Sequence, residues 1–236
     1  MRAEPARVLS AQPTVIFTGA YGSGKTEVAI NYALAAWAGG KAACIVDLDV
    51  VTPYFRVGDY RKQLEQAGVR VVAPEGGLAS FELPALPPEI AGALDDRSMH
   101  VVLDAGGDPE GARLLAIYAD RIRGRGYDLW VVVNPFRPAT SSAAAAAEQA
   151  RAIEEQTGLR LTGVVANPNL GPATTVAEVT RGLEIIQQGA ARLGLPVVLV
   201  AAARSLALEE RLLGVRVLAL ELAVRLPWEG PTGVGT

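Results

Sequence analysis

The chain has a single cysteine, a single histidine and only three lysines among its 236 residues. One cysteine excludes an intrachain disulfide and any cysteine-ligated cluster. Cys44 lies in the apolar run Ala42-Ala43-Cys44-Ile45-Val46 and reads as a core residue rather than a reactive thiol. A formal charge of −3 lacks the basic excess of proteins that hold nucleic acid by bulk electrostatics. No stretch approaches the roughly 18 unbroken apolar residues of a membrane span. Met1–Gln12 has no apolar core of a signal peptide, so a cytoplasmic protein without nucleic-acid or membrane partners is expected. His100 opens an apolar strand, and no Ser/His/Asp arrangement accompanies it.

What is present is an ordinary globular composition, 50% hydrophobic and 20% charged, enough for one buried core. Short apolar, β-rich runs alternate with longer helical patterns, the mark of βαβ units around a parallel sheet. Strands are predicted at Thr14–Thr18, Lys41–Asp47, Val69–Ala73, His100–Asp104, Tyr127–Asn134, Arg160–Ala166 and Pro196–Ala201. Helices are predicted over Lys25–Trp37, Pro109–Arg123, Ser141–Gln156 and Thr174–Leu193, with Gly158 and Gly194 as stops. Val215–Trp228 reads as a last strand or a core-packing helix, with too few cations for lipid attraction. Pro74–Pro88 is a connection or a lid. No linker divides the chain, so residues 1–236 form one domain, with flexible ends at 1–12 and 229–236.

Three segments carry chemistry. Gly19-Ala20-Tyr21-Gly22-Ser23-Gly24-Lys25-Thr26 satisfies G-x-x-x-x-G-K-[ST] between a strand and a helix. Its glycines let backbone N–H groups turn inward as an anion nest, and the helix presents its positive end to phosphates. Lys25 then reaches the β- and γ-phosphates and Thr26 ligates Mg2+, with Glu27 in the same first turn. In the second segment, Ile45–Arg56, alternation points Asp47 and Asp49 the same way, leaving Asp49 at the carboxyl edge of the sheet. There it can hold the metal shell or orient water. The third, Val101–Asp108, is an apolar strand ending in Asp104 and two glycines, the Walker B arrangement. Asp104 would hold the metal through water and Gly107 bring an amide to the γ-phosphate.

Together these segments resemble the MinD/ParA group of P-loop ATPases, in the class that also holds iron–sulfur carrier ATPases and CobB/CobQ amidotransferases. The resemblance spans about the first 200 residues. It implies a three-layer αβα P-loop NTPase fold with a mostly parallel central sheet. It also implies Asp49 as catalytic acid, and Asn167, followed by Pro168, as the residue that binds adenine; Asn167 also reads as a turn residue. A guanine site wants Asn-Lys-x-Asp, and Leu170 stands where that Asp would be, which favours ATP. The group's signature lysine after the first glycine is Ala20 here, so its trans-lysine mechanism does not carry over. Arg56 or Arg137 could supply that charge, or each is simply a solvated or structural arginine.

The expectation is a Mg2+-dependent ATPase that switches a protein partner, with a homodimer as one form of partner. Lys25 and Asp49 carry the catalysis; Thr26, Asp49 and Asp104 hold the metal; Gly19–Glu27, Gly107, Asn167 and Pro168 hold the nucleotide. The alternative is a phosphotransferase or ligase acting on a small molecule, with Phe81–Pro88 and Arg137 as acceptor pocket. A nucleotide-binding regulator with negligible catalysis is a third reading.

Overall fold

The computed structural model of the chain describes residues 5–49, 56–73 and 88–221. Eight strands, all parallel, form one sheet: β1 (Thr14–Thr18), β2 (Ala43–Leu48), β3 (Arg70–Val72), β4 (His100–Ala105), β5 (Tyr127–Val133), β6 (Gly163–Ala166), β7 (Val197–Ala203) and β8 (Val217–Leu220). Their order is β3-β2-β4-β1-β5-β6-β7-β8, which places β1 between β4 and β5. Strands buried on both faces read as continuous apolar runs, and β1 and β4 are buried at every position.

Helices cover both faces. On one side α1 (Lys25–Ala38) and α2 (Arg61–Gln66) pack Val28, Ile30, Tyr32 and Leu64 against Val15, Phe17, Ile45 and Val102. On the other lie α3 (Pro88–Asp95), α4 (Pro109–Ile117), α5 (Ala119–Arg125), α6 (Ala143–Thr157) and α7 (Val176–Leu193). Ile90, Leu115, Ile122, Ile153 and Ile186 from these helices meet Ile16, Val46 and Leu103. A short α8 (Glu210–Leu213) precedes β8. This is the expected three-layer αβα architecture.

Local chemistry explains the boundaries. Thr175 and Glu178 form a reciprocal capping box at the start of α7. Ser142 caps α6 by accepting from the Ala145 N–H at 3.2 Å. Gly158 and Gly194, the expected stops, end α6 and α7 in the left-handed conformation.

Several expectations need correction. The single helix expected over Pro109–Arg123 is two, α4 and α5, because the chain turns at Tyr118, whose ring enters the core. Of the two readings of Val215–Trp228 the strand holds: its described part, up to Glu221, contributes β8, with Leu218 and Leu220 buried beneath α1. Of the leading segment expected to be flexible, Val8 is buried against α1 and the Ser10 N–H donates to the Tyr32 hydroxyl at 2.7 Å. The tail 229–236 and the connection after Ala73 up to residue 87 lie outside the described residues, so Pro88 alone of Pro74–Pro88 is placed, as the first residue of α3. Among the described residues no helix is long and apolar enough to cross a membrane.

Candidate functional site

The residues singled out by sequence converge at the carboxyl edge of β1, β2 and β4. Gly24, just before α1, has φ +87°, and a Cβ there would fall 2.2 Å from Nδ2 of Asn167; only glycine fits. The loop is pinned internally by Ser23 N–H donating to the Ala20 carbonyl and Val28 N–H to the Gly24 carbonyl, both at 3.0 Å. Ala20, Ser23, Lys25, Thr26 and Glu27 are buried, whereas Tyr21 stands 71% exposed.

Below the loop, the Lys25 ammonium meets the Asp49 carboxylate at 2.7 Å. Burial alone would lower the Lys25 pKa, yet Asp104 and Asp49 outweigh it and hold the ammonium charged. Asp47 and Asp104 are register partners on β2 and β4. Burial pushes Asp104 up to about 6, with Lys25 and the Thr26 hydroxyl pulling it down and Asp49 pushing it up. Burial, then the neighbouring Asp104 charge, raises Asp47 to about 7, although Asp47 accepts the Asp49 N–H at 3.1 Å. Asp49, just past the end of β2, faces Lys25.

Both oxygens of Asp104 are buried without a hydrogen-bond partner, the Thr26 hydroxyl standing near them but short of a full hydrogen bond. Leaving a carboxylate so placed is costly. The orphaned carboxylate, the Thr26 hydroxyl and Asp49 could offer oxygen donors of the kind that suit Mg2+, although no group of three His, Cys, Asp or Glu side chains among the described residues is arranged to hold a metal ion. The Ser23 hydroxyl and Oδ1 of Asn167 are likewise buried and unpartnered. These unsatisfied groups cluster around the loop, which fits a ligand carrying both donors and acceptors.

Gly107 lies on the loop itself, since a Cβ at this position would fall 2.4 Å from the Gly19 carbonyl oxygen. Asn167 is drawn in too: its Nδ2 donates to the Ser23 carbonyl at 2.7 Å. Pro168 packs against Gly182 of α7, where a Cβ would approach it to 2.5 Å. Glu27 accepts from Nδ2 of Asn31 at 3.1 Å, one turn along α1.

Two participants went unassigned at the sequence level. In the sequence Asp47 reads only as a neighbour of Asp49, whereas the structure sets it beside Asp104 in a buried carboxylate cluster. Asn134 gave no signal beyond its place at the end of β5; its side chain donates to the Asn169 carbonyl at 2.9 Å and accepts the Phe136 N–H at 3.1 Å. Of the two arginines considered, Arg137 reaches the loop, its Nε donating to the Gly22 carbonyl at 3.2 Å. Arg56 instead begins the turn before α2, its N–H donating to Asp59. His100, at the far end of β4 from Asp104, is buried against Tyr32, and burial pushes its pKa down to about 4. Of the acceptor pocket considered from Phe81–Pro88, residues 81–87 lie outside the described residues.

No family model matches the chain. No curated protein matches it either. Solved structures do. The cell division protein FtsY of Thermotoga maritima superposes with a TM-score of 0.59 at 19% identity over 86% of this chain and 66% of its own. Chloroplast FtsY of Physcomitrella patens gives 0.56 at 15% identity, over 81% of this chain and 59% of its own. The signal recognition particle 54 kDa protein of Aeropyrum pernix K1, in complex with GDP, gives 0.53 at 22%, over 83% of this chain and 43% of its own. This chain therefore spans less than two thirds of the length of each of these structures. The shared element is the fold, which is that of the α/β P-loop NTPases with a parallel sheet.

Proposed function

We propose that the chain is a Mg2+-dependent ATP-binding protein and ATPase that acts as a nucleotide-dependent switch on a protein partner, as its MinD/ParA-like segments imply. The observation that carries this reading is the buried Lys25–Asp49 pair at 2.7 Å beside the unpartnered Asp104, under a glycine-rich loop at the start of α1. A cation and carboxylates held in so little water act strongly on a phosphate chain.

Each residue then has a task. The loop from Gly19 to Thr26 cradles the phosphates with its N–H groups, and Lys25 neutralises charge on them. Thr26, Asp104 and Asp49 hold Mg2+, which when bound stabilises charge on the phosphate oxygens. Gly107 offers an amide to the γ-phosphate. Asp49, released from Lys25 when phosphates take up that cation, orients the attacking water. Tyr21 and Leu170, 71% and 44% exposed at the same edge, provide apolar surface to a partner, including a second copy of the chain.

The choice of ATP rests on Asn167. Its Nδ2 is used on Ser23, leaving a buried acceptor, Oδ1, without a donor. On the base edge that carries N7, adenine offers an N6 amino donor whereas guanine offers only acceptors. The GDP in the Aeropyrum structure favours a guanine nucleotide as second reading. Phosphate release from Mg-ATP and Mg-GTP by the purified chain, with Lys25→Ala as control, tests both. Lysine-dependent release from ATP is expected; release from GTP alone would replace ATP in this reading, and lysine-independent release would overturn the site.

A further inference from the structure

We infer that Arg137 is a second phosphate-binding cation of the loop, supplied from within the chain. The inference rests on the nucleotide reading above and adds to it a charge that the loop's own sequence does not carry.

The loop has one cation of its own, Lys25, and that ammonium lies at the base of the site, engaged by Asp49 at 2.7 Å. The position after its first glycine is Ala20, which is buried. A nucleoside triphosphate would thus meet a single, already paired charge along the outer part of the loop. Arg137 stands there. Its Nε donates to the Gly22 carbonyl at 3.2 Å, and its guanidinium lies over that glycine, where a Cβ would fall 3.3 Å from Nε and 3.6 Å from Cζ.

The turn that delivers Arg137 is built rigidly. It follows β5 directly and runs Asn134-Pro135-Phe136-Arg137-Pro138, with a proline on either side of the Phe-Arg pair. The Asn134 side chain accepts the Phe136 N–H at 3.1 Å, and the Asn134 carbonyl accepts the Arg137 N–H at 3.2 Å. The Arg137 carbonyl in turn accepts the Thr140 N–H at 3.0 Å, and the Thr140 hydroxyl donates back to the Asn134 carbonyl. With its backbone so fixed, only the side-chain torsions remain to be ordered when the arginine engages a ligand.

The contact does two things. It turns the Gly22 carbonyl towards a cation, so that this oxygen is kept from facing an anion in the loop. It also spends only Nε, one of the five donors of the guanidinium. No carboxylate pairs with Arg137 among the described residues, so the two Nη groups remain for phosphate oxygens, whose geometry the planar fork matches.

Three variants separate charge from loop support. Arg137→Gln keeps a donor for the Gly22 carbonyl without charge, Arg137→Lys keeps charge without the fork, and Arg137→Ala keeps neither. Mg-ATP binding is measured by titration calorimetry alongside wild type and Lys25→Ala, with melting temperatures of the ligand-free proteins. Arg137→Gln and Arg137→Ala should both weaken Mg-ATP about tenfold with melting temperatures near wild type, and Arg137→Lys should recover part of the loss. Added KCl should weaken wild type more steeply than Arg137→Gln. If Arg137→Gln binds as wild type does while Lys25→Ala does not, or if Gln rescues where Lys fails, Arg137 only props the loop and the inference falls alone. If wild type binds no nucleotide, the nucleotide reading falls and takes the inference with it.

Discussion

The Lys25 ammonium and the Asp49 carboxylate meet at 2.7 Å with only 7% and 4% of their side chains exposed. Each is the nearest answer to the other's burial, and removing one strands its partner. Lys25→Ala should therefore do more than abolish nucleotide binding: it leaves Asp49 and Asp104 together without a cation. A loss of about 3 kcal/mol in urea unfolding at pH 8 is expected. Asp49→Asn keeps a hydrogen-bonding partner for Lys25, so it should still bind Mg-ATP while losing at least about a hundredfold in turnover. Turnover unchanged in Asp49→Asn would remove that residue from the chemistry.

The carboxylate cluster also sets a pH dependence. Burial holds Asp104 near 6 and, with Asp104 beside it, Asp47 near 7, both above the ordinary 3.8. A carboxyl whose folded pKa is raised favours folding while protonated, so its contribution is complete below about pH 4 and is lost as pH rises through 6 and 7. The ligand-free protein should accordingly lose up to about 4 kcal/mol between pH 5 and pH 8. Asp47→Asn removes one titrating group and should flatten that slope, as denaturant midpoints at the two pH values would show. A slope unchanged in Asp47→Asn would assign it to other groups.

The sheet and the loop were legible because each rests on local pattern. Apolar runs such as Thr14–Thr18 announce strands buried on both faces, and Gly24-Lys25-Thr26 after such a run announces a phosphate loop. What was hidden depends on distant partners. The break between α4 and α5 comes from Tyr118 turning into the core, which no helix propensity records. The short helices α2 and α8 give too few residues for a period to be read. Arg137 and Gly22 touch across 115 residues, and only the placement of β5 beside β1 brings them together.

Gly107 tests the packing of the segment after β4 on the loop. A Cβ there would fall 2.4 Å from the Gly19 carbonyl oxygen and 2.6 Å from its carbon, both backbone atoms that cannot rotate away. Gly107→Ala should push the segment off the loop at a cost of about 1–3 kcal/mol. Phosphate release should fall more than Mg-ATP affinity, because the loop itself keeps its lysine. Wild-type turnover in Gly107→Ala would show that this approach is not used.

Asn167 braces the loop with one atom of its amide and, on the proposed reading, meets the base with the other. Its Nδ2 donates to the Ser23 carbonyl at 2.7 Å, a buried bond spanning 144 residues between the β6 end and the phosphate loop, while Oδ1 stays unpartnered. Asn167→Ala deletes both atoms. Loss of the first leaves a buried carbonyl without its donor, which should cost about 1–3 kcal/mol and loosen the loop for every nucleotide. On the ATP reading proposed above, loss of the second removes the acceptor for the adenine amino group, so the ratio of ATP to GTP affinity should collapse towards one. Competition titrations of both nucleotides on wild type and variant measure the two effects separately. A general weakening with an unchanged ratio would leave Asn167 as a brace for the loop and place the base-reading group elsewhere.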